Sequence, residues 1–382
     1  MHLESNDLAG GLSDERFNFV TSGLADRDIS QRFSDKEKSE LALYIQQSWE
    51  NLHQDAQYRQ AEILSLTSEN FTWGKYPDAE AYARVDQHRQ PVINSKHDTH
   101  LYASVNLEDS DDVLATQTIL LHLQRPNTIL GTAYFPYERG DRPEIHADGS
   151  QELILLNTLI MNIQHSGVRG LIHISPHSPA FPWFCLKAGI APLSLSVIPG
   201  LIKEAEKQGF LDDTVITANS DDGAKSSRQF LTNYLECGDS INGTKRKETG
   251  KTIVTYTEED FRKVRNKTVI FTEDIISTGG TMASSIFQLL NQGQAKRIII
   301  LATYPIFAGN ALERLGLDSR IQIITTDGRT PMADITKSNY VTVIPVKDKI
   351  PKVLELDKQG VNFWSQTGKE KLEELGLSIF PW

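Results

Sequence analysis

The chain has 382 residues, room for two or three domains that each bury a core of their own, and its 39% hydrophobic and 23% charged composition is that of an ordinary soluble protein. A formal net charge of −11 argues against a broad electrostatic grip on nucleic acid or anionic lipid. It does not argue against a small anionic substrate, because local loops and metal ions override net charge.

The chain opens on MHLESNDLAGGLSDERF, which has neither the basic start nor the apolar run of a signal peptide. Residues 1–15 are polar and read as a loose arm. RFNFV at 16–20 alternates like a strand. SDKEKSELALYIQQSWENL at 34–52 reads as a helix with Ser34 at its N-cap and Leu41, Tyr44, Ile45 and Trp49 on one face. Residues 62–85 read as two strands around a turn. Short apolar runs at 100–106, 129–136 and 170–175 alternate with helical patterns at 112–124 and 150–165, the latter with Leu153, Leu156, Ile160 and Ile163 together.

The rhythm then repeats. Strand patterns at 193–199, 213–219 and 268–271 precede helical ones at 200–209, 226–236 and 281–292, the last closed by Gly293. RIIILATYPIF, IQIITTD and YVTVIPV are further strands, and GLSIFPW at the end reads as a final one. IIILATYPIF at 298–307 is far too short to span a bilayer and suits a buried parallel strand. Strand–helix alternation predicts α/β architecture with mostly parallel sheets. A boundary near 190–200 divides the chain into an arm at 1–15, a domain at 16–192 and a domain at 193–382 with a C-terminal tail. The two cysteines, Cys185 and Cys237, lie far apart with no CxxC, which fits a reducing, cytoplasmic setting rather than a disulfide or zinc framework.

Two stretches carry chemistry. GTKRKETGKT with FRKVRNK makes residues 240–267 locally basic. This is a solvated surface loop or a mobile lid whose cations meet phosphates. FTEDIISTGGT at 271–281 runs from an apolar strand through Glu273 and Asp274 into a glycine turn that opens a helix. Glycines let backbone approach a ligand, outward N–H groups make an anion nest, and the helix N-terminus adds partial positive charge. Thr278 and Thr281 add hydroxyls. A phosphate suits that turn, whereas the acids suit a sugar diol or hydrated Mg²⁺. A plain tight turn is the bland alternative. No GxxxxGK[ST] and no GxGxxG occurs.

TVIFTEDIISTGGT resembles the phosphoribosyl-pyrophosphate loop of type I phosphoribosyltransferase folds. YFPYERGDR at 134–142 is similar to the Tyr-Phe-Pro-Tyr-x-Arg-x-Asp segment of ribose-phosphate diphosphokinases, and KYPDAEAYARV at 75–85 resembles their Phe-x-Asp-Gly-Glu segment. HISPHSPAF at 173–181, DDGAK at 221–225 and FVTSGL at 19–24 also resemble family segments, in the family's order across roughly 16–355.

The resemblance implies two tandem phosphoribosyltransferase-like domains, Mg²⁺ dependence and a homo-oligomer, dimer or hexamer. It also implies transfer of the β,γ-diphosphoryl group of ATP to the anomeric hydroxyl of ribose 5-phosphate. On it, Glu273, Asp274, Ser277, Thr278, Gly279, Gly280 and Thr281 would hold the sugar phosphate. Arg139 would reach the ATP phosphates, and Tyr76, Asp78 and Glu80 the adenosine. His177, with Asp221 and Asp222, would bind Mg²⁺ or the triphosphate. Lys245, Arg246 and Lys247 would neutralise the transferring group.

The departures gather at these sites. Ser277 stands where the family has Asp, Glu273 replaces the first Asp, and Gly140 stands for Gln. Ser220, Asp222 and Ala79 also differ from the pattern. Three readings stay open: a ribose 5-phosphate diphosphokinase; one taking a larger acceptor such as ADP-ribose, as in phage-borne NAD⁺ salvage, with Ser277 and Gly140 leaving room; or a silent regulatory paralogue.

Overall fold

The structure is a computed structural model. It describes residues 24, 28, 32–53, 62–65, 71–77, 81–85, 101–105, 107–123, 125, 127–146, 148–211, 215–219, 225–236, 239–248 and 251–381. The expected arm at 1–15 and strand at 16–20 lie outside them. The chain forms two compact units, Met1–Leu195 with Asp348–Lys369, and Ser196–Lys347 with Glu370–Pro381.

The first unit opens with α1 (Asp35–Leu52), started by a capping box in which Ser34 and Glu37 satisfy each other's backbone N–H groups. Leu41, Ile45, Trp49 and Leu52 bury one stripe of it. The expected pair of strands at 62–85 proves to be three. β1 (Glu62–Ser65) joins the main sheet, while β2 (Phe71–Lys75) and β3 (Ala81–Val85) form an antiparallel hairpin of their own.

β4 (Leu101–Val105), α2 (Ser110–Leu123), β5 (Thr128–Thr132), α3 (Leu155–His165), β6 (Val168–Ile174), α4 (Ala180–Lys187) and β7 (Ala191–Ser196) follow. The strands pair in the order β1-β4-β5-β6-β7, all parallel. β4, β5 and β7 are buried throughout, which explains their continuous apolar runs. α3 starts later than its pattern suggested. Leu159 takes a core position with Leu156, Ile160 and Ile163, and Leu153 is left exposed ahead of the helix.

The second unit begins with α5 (Ile198–Lys207), whose Pro199 stands in its first turn, where a missing N–H costs nothing. β8 (Val215–Asn219), α6 (Lys225–Tyr234), β9 (Ser240–Asn242), β10 (Thr244–Glu248), β11 (Lys251–Thr255) and α7 (Glu258–Val264) follow. The basic stretch is therefore not one long loop. β10 and β11 pair as an antiparallel hairpin, and Thr257 with Asp260 caps α7. The unit continues with β12 (Thr268–Ile276), α8 (Gly280–Asn291), β13 (Arg297–Pro305), α9 (Ala311–Leu315), β14 (Ile321–Thr326) and β15 (Val341–Ile344). Its sheet runs β15-β14-β13-β12-β8-β9, parallel throughout. Strand order reverses at β8, with β9 on one side and β12 on the other. An open α/β sheet leaves its ligand crevice at such a switch point, outside the carboxyl ends of the strands.

The chain then re-enters the first unit. α10 (Lys349–Lys358) lies against β5, where Gly131 makes room: a Cβ there would stand 2.6 Å from Ile350 Cγ2. Residues 348–369 thus complete the first unit instead of forming a tail of the second. α11 (Gln366–Glu374) and a two-residue strand, Ser378–Ile379, follow.

Candidate functional site

β12 does not stop at its acids. It pairs with β13 as far as Ile276↔Pro305, so Glu273 and Asp274 sit half-buried within its last turns of ladder. Ser277 and Thr278 turn the chain. Gly279 takes the left-handed conformation at φ +64° as N-cap of α8, a position that disfavours any Cβ.

The carbonyls before the helix are all engaged. Ile276 O accepts from Phe307 N–H at 2.9 Å, Ser277 O from Ala308 N–H at 3.1 Å, and Thr278 O from Arg314 Nη1 at 2.8 Å. No side chain caps the helix, and the first N–H groups of a helix have no intrahelical acceptor. The turn therefore spends its acceptors on the protein and leaves the first N–H groups of α8 without an intrahelical or side-chain acceptor, with two carboxylates immediately upstream.

Asn219 ends β8, the strand beside β12. Its carbonyl accepts from Gly243 N–H at 3.1 Å and Tyr256 Oη at 3.2 Å, so it fixes both feet of the β10–β11 hairpin. Burial pushes the Tyr256 phenol well up. A Ser285 hydrogen bond opposes that shift, and the charge of Glu273 adds to it. Gln288 of α8 donates to Val254 O at 2.6 Å and fastens β11 to the helix that starts at the turn. Lys245, Arg246 and Lys247 occupy β10, opposite Val254, Ile253 and Thr252. Asp221 and Asp222 lie outside the described residues.

In the first unit the structure brings YFPYERGDR and HISPHSPAF together at the carboxyl ends of β5 and β6, which pair Thr132↔His173. Two buried carboxylates staple the segments. Glu138 Oε2 accepts the His177 N–H at 2.7 Å, and Asp141 Oδ2 accepts the Ser178 hydroxyl at 2.6 Å. Glu138 Oε1 lies 3.2 Å from Nε2 of His173. Full burial, with Phe135 and Phe181 against the ring, holds that imidazole neutral, its pKa lowered to about 3. Tyr137 at φ +63° and Ser175 at φ +41° are left-handed without being glycine, a strain that collects at functional sites.

Arg139 and His177 are exposed beside these staples. Tyr76 is exposed after the β2 strand, while Asp78 and Glu80 lie outside the described residues. A Cβ on Gly140 would make ordinary van der Waals contact, with Tyr137 O at 3.4 Å and Leu155 Cβ at 3.6 Å.

Sequence reasoning missed Glu138, Asp141, Asn219, Tyr256 and Arg314. Each acts on a partner distant in sequence, so no local pattern betrays it. Among the described residues, no group of three or more His, Cys, Asp and Glu side chains could hold a metal ion. Glu273 and Asp274 are hard oxygen donors of the kind a hydrated Mg²⁺ takes one or two of, while it keeps waters and shares phosphate oxygens. The His177 imidazole suits a phosphate oxygen better than that hard cation.

No family model matches the chain. The ribose-phosphate pyrophosphokinase of Aquifex aeolicus is 28% identical over 229 residues, 60% of this chain and 69% of its own. The enzyme of that name from Sulfurisphaera tokodaii is 28% identical over 289 residues, 75% of this chain and 92% of its own. A crystal structure of phosphoribosylpyrophosphate synthetase from Mycobacterium smegmatis superposes with a TM-score of 0.59 at 17% identity, covering 76% of this chain and 91% of that one. The last likeness establishes the α/β fold with mostly parallel sheets.

Proposed function

We propose that this chain, a divergent relative of the ribose-phosphate pyrophosphokinases, transfers the β,γ-diphosphoryl group of ATP to the 1-hydroxyl of ribose 5-phosphate. The observation that carries this is the turn after β12, where uncapped helix-start N–H groups follow two carboxylates at the switch point of the sheet. A sugar phosphate satisfies both halves. Its ester oxygens take N–H donors from Thr278, Gly279, Gly280 and Thr281, and its diol meets Glu273 and Asp274.

The 1-hydroxyl oxygen attacks the β-phosphorus of ATP. The bond from that phosphorus to the α,β-bridging oxygen breaks, AMP leaves, and the hydroxyl proton passes to solvent. Arg139 offers a guanidinium fork to the ATP phosphates, with His177 as a further donor, and Tyr76 contacts the adenosine. Lys245, Arg246 and Lys247 neutralise charge gathering on the transferring group. Glu273 and Asp274, with Asp221 and Asp222, would hold Mg²⁺, which would supply neutralisation of the triphosphate charge. The protein's own contribution is placement and charge, with no covalent intermediate. The same reading makes the protein a cytoplasmic homo-oligomer. Among the described residues no helix is long and apolar enough to cross a membrane.

Incubation with Mg-ATP and either ribose 5-phosphate or ADP-ribose, with AMP followed by chromatography, tests this. AMP with ribose 5-phosphate is expected. AMP with ADP-ribose alone would move the acceptor to the larger substrate. AMP with neither would overturn the reading in favour of a silent paralogue. Arg139→Ala is expected to abolish turnover with the fold intact, and an unchanged rate would remove Arg139 from the site.

A further inference from the structure

We infer that Glu138 is a positioning residue, whose buried carboxylate couples the Arg139 segment to the His177 segment and so aims both exposed side chains at the nucleotide phosphates. The inference rests on the function proposed above and assigns it a residue that the family segment leaves open, the position before Arg139.

Glu138 is only 6% exposed, yet its neighbour Arg139 is exposed. A carboxylate removed from water is costly unless donors surround it. One donor here is the backbone N–H of His177 itself, at 2.7 Å. The other oxygen lies 3.2 Å from His173 Nε2, on the floor formed by β6. One side chain thus touches the backbone of one exposed group and directly precedes the other.

The surrounding backbone needs such a tie. Tyr137, immediately before Glu138, and Ser175, two residues before His177, are both held left-handed. Such conformations persist only where neighbouring contacts over-determine them. The Ser175 N–H is fixed to Leu195 O at 2.6 Å, and Asp141 holds Ser178 at 2.6 Å. Glu138 stands between these anchors. Without it the segment from Tyr137 to Gly140 loses the staple nearest Arg139 and His177, and the Asp141–Ser178 bond beyond them holds the two side chains less closely to one another.

A double-mutant cycle on the full chain tests this, with Glu138→Ala, His177→Ala and the double variant compared in AMP release under Mg-ATP and ribose 5-phosphate. Misplacing a phosphate-handling group costs up to about 100-fold. Glu138→Ala is expected to lower kcat about 10- to 100-fold, with KM for ATP changed by less than about threefold. Glu138→Gln, which keeps an acceptor for the His177 N–H, should recover most of the loss. In the His177→Ala background the Glu138→Ala penalty should shrink, because the part exerted through the His177 side chain is already lost while the part on Arg139 remains.

A merely packing role would lower the melting temperature and leave the two penalties multiplying independently, and that result overturns the inference. So does an unchanged kcat in Glu138→Ala. If Glu138→Ala does not fold, Glu138→Gln takes its place in the cycle. If the wild type releases no AMP with either acceptor, the proposed function has failed. The same four proteins are then followed by phosphorus NMR with bound Mg-ATP: coupled shifts of the phosphate resonances uphold the positioning role, and independent shifts, unchanged resonances or no binding overturn it.

Discussion

At the scale of the residue, the turn after β12 depends on one glycine and one arginine. Gly279 sits at φ +64°, where a side chain costs about 1–2 kcal/mol. Gly279→Val should lower the melting temperature by a few degrees and weaken sugar-phosphate binding, measured by calorimetric unfolding and by KM. Arg314 holds Thr278 O at 2.8 Å and is itself held by Asn310 Oδ1 at 2.8 Å. A hydrogen bond from a charged group contributes about 1.5–3 kcal/mol. Arg314→Gln should therefore raise KM for the sugar phosphate about 10- to 100-fold, while Arg314→Lys should lose less. Equal KM values in all three proteins would remove Arg314 from the turn's function.

At the scale of the element, α10 is the piece whose place the chain order conceals. Its seat on β5 exists because residue 131 has no Cβ. Gly131→Val would press on Ile350 and Leu354, at 2.6 to 3.3 Å from the first added carbon. Overpacking of this kind costs about 1–3 kcal/mol, read as a lower urea midpoint.

The far end of α10 is fixed by Asp357, buried, whose oxygens accept from Trp49 Nε1 at 3.0 Å, Tyr102 Oη at 3.0 Å and His53 Nε2 at 2.8 Å. Burial pulls the His53 pKa down, but the Asp357 hydrogen bond and charge, with the Trp49 carbonyl, outweigh it and raise the value above 6.5. A raised folded pKa gives stability that is complete below the unfolded value and lost as pH climbs through the folded one. The melting temperature should therefore fall as pH rises from 6.5 upward. His53→Gln should flatten that slope, and an unchanged slope would exclude the pair.

At the scale of the whole molecule, the two units are interlaced in sequence. The first needs residues 348–369, and the second uses 370–381, where Gly376 O accepts Gly200 N–H at 3.0 Å and Glu373 O accepts Lys203 Nζ at 2.7 Å. A chain ending at Lys347 should lose cooperative unfolding in both units, seen as a broadened, lowered calorimetric transition. Retention of the native transition would show the returning segment to be dispensable.

Fully buried parallel strands and amphipathic helices write their period directly into the residues, so the α/β class, α1 with its Ser34 cap, and the buried face of α8 are legible in the sequence alone. So is the passage from strand through turn to helix start over Glu273 to Thr281, because apolar residues, acids and glycines are contiguous there.

What folding alone decided is long-range. β12 outruns its acids because β13 is there to pair with it. Residues 348–369 belong to the first unit because Gly131 makes room for them and Trp49, Tyr102 and His53 bond to their Asp357. Glu138 finds the His177 amide 39 positions away. Local patterns encode local conformation and burial. A hydrogen bond between distant segments depends on where the whole backbone carries them, and no single stretch of sequence holds that information.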